Sequence, residues 1–128
     1  MLNLKKLFNK ILNGVIESGS WSNVSATTGT NNTVQQLTLL PRSKYIVLAG
    51  NANGMSGASN NNLNFNCPQA DSIIIGAGLN NSGSGNACVG WAFVTTGENA
   101  ATLNVTSYGY SASEKWSGSV VAFRVGGG

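Results

Sequence analysis

The spacing of apolar residues changes once along the chain, near Trp21. Before it, Leu4, Leu7, Phe8, Ile11, Leu12 and Val15 recur at steps of three and four, with Lys5, Lys6, Asn9, Lys10 and Asn13 between them. That spacing predicts an amphipathic helix over 2–16, ended by Gly14 and the run Ser18-Gly19-Ser20. After it the period is two. Candidate strands are 20–26, 34–40, 44–50, 62–67, 72–77, 87–96, 101–108 and 118–125. In 34–40 Leu37 and Leu39 alternate with Gln36 and Thr38, and in 101–107 Leu103 and Val105 alternate with Thr102, Asn104 and Thr106. Such alternation means one face in a core and one face wet. Three runs are apolar on both faces: Tyr45 to Ala49, Ile73 to Ile75 and Val120 to Phe123. Strands of that kind are covered on both sides, and in a small all-β domain the second cover is often another subunit.

Turn residues separate the strands: Thr28 to Asn32, Pro41-Arg42-Ser43, and Thr96 to Asn99. Two longer loops, Asn51–Asn62 and Gly78–Asn86, are nearly free of charge. The chain shows no internal repeat of 20–50 residues. The expected fold is therefore all-β, an antiparallel jelly-roll-type sandwich of about eight strands preceded by one short amphipathic helix. Its parts are a helix at 1–17 for oligomerisation or anchoring, a β-sandwich at 18–125, and a flexible tail at 126–128.

A helix of about 15 residues is marginal alone in water and needs a partner. Its stripe is too interrupted for a membrane span or a secretory signal. Met1, Leu4, Phe8, Ile11 and Val15 also fit a coiled-coil seam, so Leu4, Phe8, Ile11 and Val15 are the oligomerisation candidates. Packing onto the protein's own body and lying on a membrane surface remain open.

Composition narrows the function. Asn, Ser, Thr and Gly supply 59 of the 128 residues, while 9% are charged. There is no His, one Asp (Asp71) and three Glu (Glu17, Glu98, Glu114). General acid–base, triad and zinc chemistry all lack their groups, and calcium would find few carboxylates. We expect no enzyme, no cofactor and no metal. The formal charge is +3, of which residues 1–17 hold +2. The body carries no basic stripe, so nucleic acid is not an expected partner. Cys67 and Cys88 stand 21 apart; a disulfide depends on whether their strands are neighbours, and a reducing compartment favours free thiols. Four N-x-[ST] triplets, at Asn23, Asn31, Asn80 and Asn104, match the number chance gives in a chain so rich in these residues.

The start, Leu4-Lys-Lys-Leu-Phe-Asn-Lys-Ile-Leu12 with Val15-Ile-Glu-Ser-Gly-Ser-Trp21, resembles that of small phage structural proteins in which a helix precedes a β-rich fibre or head-spike domain. Leu40-Pro-Arg-Ser-Lys-Tyr-Ile-Val-Leu48 and Trp116-Ser-Gly-Ser-Val-Val-Ala-Phe-Arg-Val125 resemble trimeric jelly rolls of the tumour-necrosis-factor-like kind at phage fibre tips. The resemblance implies a homotrimeric virion protein of head or tail fibre, contacting other virion proteins through the helix and the host surface through its head. It implies no catalytic residue.

For ligand binding, Tyr108, Tyr110 and Trp116 surround the loop Ser111–Lys115, and aromatic faces stack on sugar rings. Asn60, Asn61, Asn62, Asn80 and Asn81 in the long loops offer amides without charge, which suits a neutral host-surface glycan. The competing readings are plain packing of the aromatics on one strand face and solvated connectors for the loops. Trp21 and Trp91 read as core or interface. A stand-alone lectin module is the alternative to the virion protein, and a membrane-surface protein using the cationic helix is a third class.

Overall fold

A computed structural model of the chain describes residues 16–54, 62–76 and 87–127. Each of the eight expected stretches contains a strand: β1 Ile16–Ser25, β2 Asn31–Leu39, β3 Ser43–Asn53, β4 Asn64–Asn66, β5 Ala70–Gly76, β6 Ala87–Thr96, β7 Ala101–Tyr108 and β8 Lys115–Gly127. They form two antiparallel sheets, one of five strands in the order β1-β8-β3-β6-β5 and one of three in the order β2-β7-β4. Every connection but β5–β6 passes from one sheet to the other.

The period-two sequence places the core between the sheets. From the five-stranded sheet come Tyr45, Val47 and Ala49 of β3, Ala92 and Val94 of β6, and Trp116, Val120 and Ala122 of β8. Leu37, Leu39, Phe65, Leu103 and Val105 face them from the smaller sheet. On the edge strand β5, Ala70 and Ile73 pack against the core, whereas Ile75 stays 40% exposed although its register partner, Ala92, is buried. A buried polar chain ties the layers together. The Trp21 indole N–H donates to Asn51 Oδ1 (2.9 Å), Asn51 Nδ2 to Ser107 Oγ (3.3 Å), and the Ser107 hydroxyl to the Asn62 carbonyl (2.7 Å). Inside the protein each such bond is strong because the alternative is an unsolvated polar group.

Register gives the molecule two distinct ends. Ser25 pairs with Lys115, Asn53 with Trp116, and Ala52 with Ala87, and Tyr108 with Asn31 continues the same end in the smaller sheet. Gly54, Asn62 and Ala87, which flank 55–61 and 77–86, lie here, and β5 runs toward it. We call this the loop end. At the other end, the base, Ser43 pairs with Gly127 and the Arg42 N–H donates to the Gly97 carbonyl (2.6 Å). Ile16, where the described chain starts, pairs with Phe123 on the base side.

Three expectations change. The helical segment is expected to run through residue 17, but Ile16 and Glu17 belong to β1, paired with Phe123 and Ala122; residues 1–15, with Leu4, Phe8, Ile11 and Val15, lie outside the described residues. Ser18-Gly19-Ser20, expected as the end of the helix with a strand beginning only at Ser20, is strand throughout, because β8 supplies a full ladder and the Gln35 amide donates to the Ser20 carbonyl (3.1 Å). Gly126 and Gly127, expected as a tail, pair with Lys44 and Ser43. Trp116 is fully buried, with no exposed surface. Trp116→Ala should therefore cost about 3–5 kcal/mol of stability through the cavity it leaves. Urea unfolding followed by far-UV circular dichroism measures that loss; an unchanged midpoint would contradict the packing described.

Candidate functional site

Two surfaces carry features that the core does not explain. The first is the outer face of the five-stranded sheet. Because side chains alternate, the residues between the core positions of β1, β8, β3, β6 and β5 all point outward. Register lines them up in rows. One row crosses all five strands with apolar residues: Ile16, Phe123, Ile46, Phe93 and Ile74. The next holds Ser18, Val121, Leu48, Trp91 and Gly76, and a third holds Ser20, Ser119, Gly50 and Val89. Val89 is 74% exposed, Ile74 60%, Ile16 57%, Leu48 48%, Phe93 46% and Trp91 43%. Six side chains at those exposures present on the order of 600 Å² of apolar surface, the upper end of what a typical monomer leaves in one patch.

The face is shaped as well as apolar. The rings of Trp91 and Phe93 lie 5.1 Å apart and make a ridge with Val89 along β6. A Cβ on Gly76 would fall 2.1 Å from the Trp91 ring, so only glycine lets that indole lie across β5. Beside the ridge, Ser18, Ser20, Gly50 and Ser119 leave an open trough of about 740 Å³ bounded by Leu48, Val89 and Trp91. None of the residues in these three rows is charged.

The second surface is the loop end. Tyr108 and Tyr110 stand on either side of Gly109, and their rings meet edge to face at 4.9 Å. Gly109 is pinned by its carbonyl accepting from Gly29 N–H (2.8 Å) and its N–H donating to Thr30 O (3.0 Å). A Cβ there would sit 2.3 Å from the Thr27 carbonyl. Asn62 accepts the Tyr108 N–H on Oδ1 (2.8 Å) and approaches the Tyr110 hydroxyl with Nδ2 (3.5 Å). Behind them Glu114 is buried and its carboxylate accepts the Tyr110 N–H (3.3 Å). Burial pushes the Glu114 carboxyl above its ordinary value, with the Tyr110 N–H pulling the other way.

Of the residues singled out from sequence, Tyr108, Tyr110 and Asn62 come together. Trp116 does not: it sits in the core and presents no face to a ligand. Asn60, Asn61, Asn80 and Asn81 lie outside the described residues. Trp21 is core, while Trp91 is on the outer face. The ridge and trough were missed as a site, although Val89, Trp91 and Phe93 already stood at alternate positions in one strand. Cys67 and Cys88 are free and buried, and burial pushes both thiols up, Cys88 to about 11, which leaves them unreactive near neutrality. At the base, Arg42, Lys44, Asp71 and Glu98 border a polar pocket of about 420 Å³. Among the described residues no three His, Cys, Asp or Glu gather as metal ligands would.

The buried carboxylate gives a pH prediction. The folded chain holds the Glu114 proton more tightly than the unfolded one, so stability falls as pH rises from about 4.5 through the raised value, then levels off. Glu114→Gln keeps an acceptor for the Tyr110 N–H and has no proton to lose. Urea midpoints of the two proteins, compared from pH 4 to 8, should move apart in favour of the glutamine variant as pH rises. A constant difference, or one that moves the other way, would contradict the assignment.

No protein-family model matches the chain, and no curated protein matches it. Among solved structures, the chain is similar to the P-domain of Macrobrachium rosenbergii nodavirus, with 14% identity, a TM-score of 0.31, and coverage of 87% of this chain and 94% of the P-domain.

Proposed function

We propose that the chain is a bacteriophage virion structural protein of the fibre or head-spike type, a jelly-roll-type sandwich that assembles as a homotrimer and holds its loop end toward the host surface. It does no chemistry of its own. The observation that carries this reading is the apolar row Ile16–Phe123–Ile46–Phe93–Ile74, which spans all five strands on the outer face. Its occupant is a second copy of the chain. With Ile46, Val121, Phe123 and the small residues added, the face approaches the ~800 Å² per partner that a stable interface buries. The ridge of Val89, Trp91 and Phe93 lies beside the trough, so one copy supplies both the projection and the depression a neighbour needs. The absence of charge in the rows favours a like surface over an acidic or basic partner.

The two ends support the rest of the reading. Ile16, which follows the expected helix in sequence, lies on the base side, as do the charged residues Arg42, Lys44, Asp71 and Glu98, and that end would meet other virion proteins. The loop end lies opposite, free for attachment. The alternation of strands between two sheets supports the jelly-roll class. A stand-alone carbohydrate-binding module would use the loop end equally well but would leave the outer face without a role.

Light scattering of the full chain at micromolar concentration should give a trimer mass. Leu48→Glu and Phe93→Glu, at exposed positions, should each give a folded monomer, because a buried unpaired carboxylate costs several kcal/mol. A wild-type monomer, or trimers that survive both substitutions, would overturn the assignment.

A further inference from the structure

We propose that the loop end holds a binding site for an uncharged, hydroxyl-rich ligand, a neutral oligosaccharide, with Tyr108 and Tyr110 as its apolar wall and Asn62 as its polar contact. The site deepens the attachment role given above and rests on it, but it is read by a different experiment.

Preorganisation is the first support. Exposed aromatic residues usually need no explanation when they stand singly. These two stand as a pair on a fixed backbone, since Gly109 between them is held through both its N–H and its carbonyl. The neighbouring turn is fixed by Asn32, whose Oδ1 accepts Thr27 N–H (2.9 Å) and whose Nδ2 donates to Thr27 O and Thr30 O, both at 3.0 Å. Asn62 is set in turn by the buried chain from Trp21 through Asn51 and Ser107. A wall already in place loses little entropy when a ligand arrives.

The chemistry of the wall selects the ligand. Tyr110 is 47% exposed, and the edge-to-face packing leaves ring surface open to the C–H face of a pyranose, while the Tyr110 hydroxyl, approached by Asn62 Nδ2, keeps its own proton to donate. Asn62 adds an amide that donates and accepts. Charge is nearly absent. Among the described residues the loop end carries Glu114, which is buried, and Lys115, whose ammonium donates to the Ser25 hydroxyl. A phosphate or carboxylate ligand would look for a cluster of Arg or Lys, and the Arg residues are at the base. A ligand that offers hydroxyls and no charge fits what is there.

The chain has three tyrosines, which makes the test direct. Tyr45 is buried, with its hydroxyl accepting the Leu40 N–H, and serves as an internal reference. Aromatic ¹³C–¹H spectra of the full chain would be followed during titration with cellotriose, maltotriose, chitotriose and the acidic sialyllactose. At least one neutral trisaccharide should shift the Tyr108 and Tyr110 ring signals saturably and leave Tyr45 unmoved. Tyr110→Ala should weaken that binding by about tenfold or more, as expected for an aromatic anchor, and Tyr110→Phe by no more than about threefold. Light scattering of Tyr110→Ala should still give the wild-type mass, which separates failure of this site from failure of the assembly. No shift with any neutral trisaccharide, a response to sialyllactose alone, or unchanged binding in Tyr110→Ala would overturn the proposal.

Discussion

A β-sheet has two faces, and a sheet whose strands are apolar on both must find two covers. That constraint governs this molecule. The inner face of the five-stranded sheet is covered by the three-stranded sheet, with Tyr45, Val47, Val94, Trp116 and Val120 almost wholly buried. The outer face carries a continuous apolar row, yet within one chain Val89, Ile74 and Ile16 are more than half exposed. Apolar surface of this extent is favourable to remove from water at roughly 25 cal/mol per Å². The proposed assembly would remove it, and a charge-poor body would then be one whose surface is partly interior.

The same constraint explains the division of labour between the ends. With one sheet face committed to the core and the other, on the assembly proposed above, given to neighbours, the surface left for recognition is at the strand ends. Register puts Tyr108, Tyr110, Asn62 and the flanks of both long loops at one end, and Ile16, Gly127 and most of the charged residues toward the other. The Trp21–Asn51–Ser107–Asn62 chain joins the two sheets near the loop end, since it begins in the five-stranded sheet and finishes at Asn62.

Much of the fold was legible because alternation and turn residues mark strands locally. β6 and β7 match their expected bounds, and the turn at Pro41-Arg42-Ser43 appears with Arg42 in the left-handed region (φ 51°). The start of β1 was not legible, because Ser18-Gly19-Ser20 carries no apolar signal and is strand only through its partner β8. The role of Trp116 was misread because the expected strand began at 118 and left it beside a loop, whereas β8 begins at Lys115. Trp116, Val120 and Ala122 share one parity in β8, but Val121 and Phe123 make the opposite parity equally apolar, so the sequence does not say which side is the core. Sheet order, which creates the five-strand row, depends on pairings between residues as distant as Ile16 and Phe123. The aromatic pair was found because Tyr108 and Tyr110 stand two apart; its support by Asn62 required the fold.

Trp91 reports on the outer face directly, because Trp21 and Trp116 are buried and it is the exposed indole. The decisive measurement is acrylamide quenching of tryptophan emission in the full chain across a dilution series, with Trp91→Phe to identify its share. If another copy covers the face, Trp91 is protected at high concentration and becomes quenchable as the assembly dissociates on dilution. Trp91 equally quenchable, or equally protected, at every concentration while light scattering reports a monomer would contradict the account.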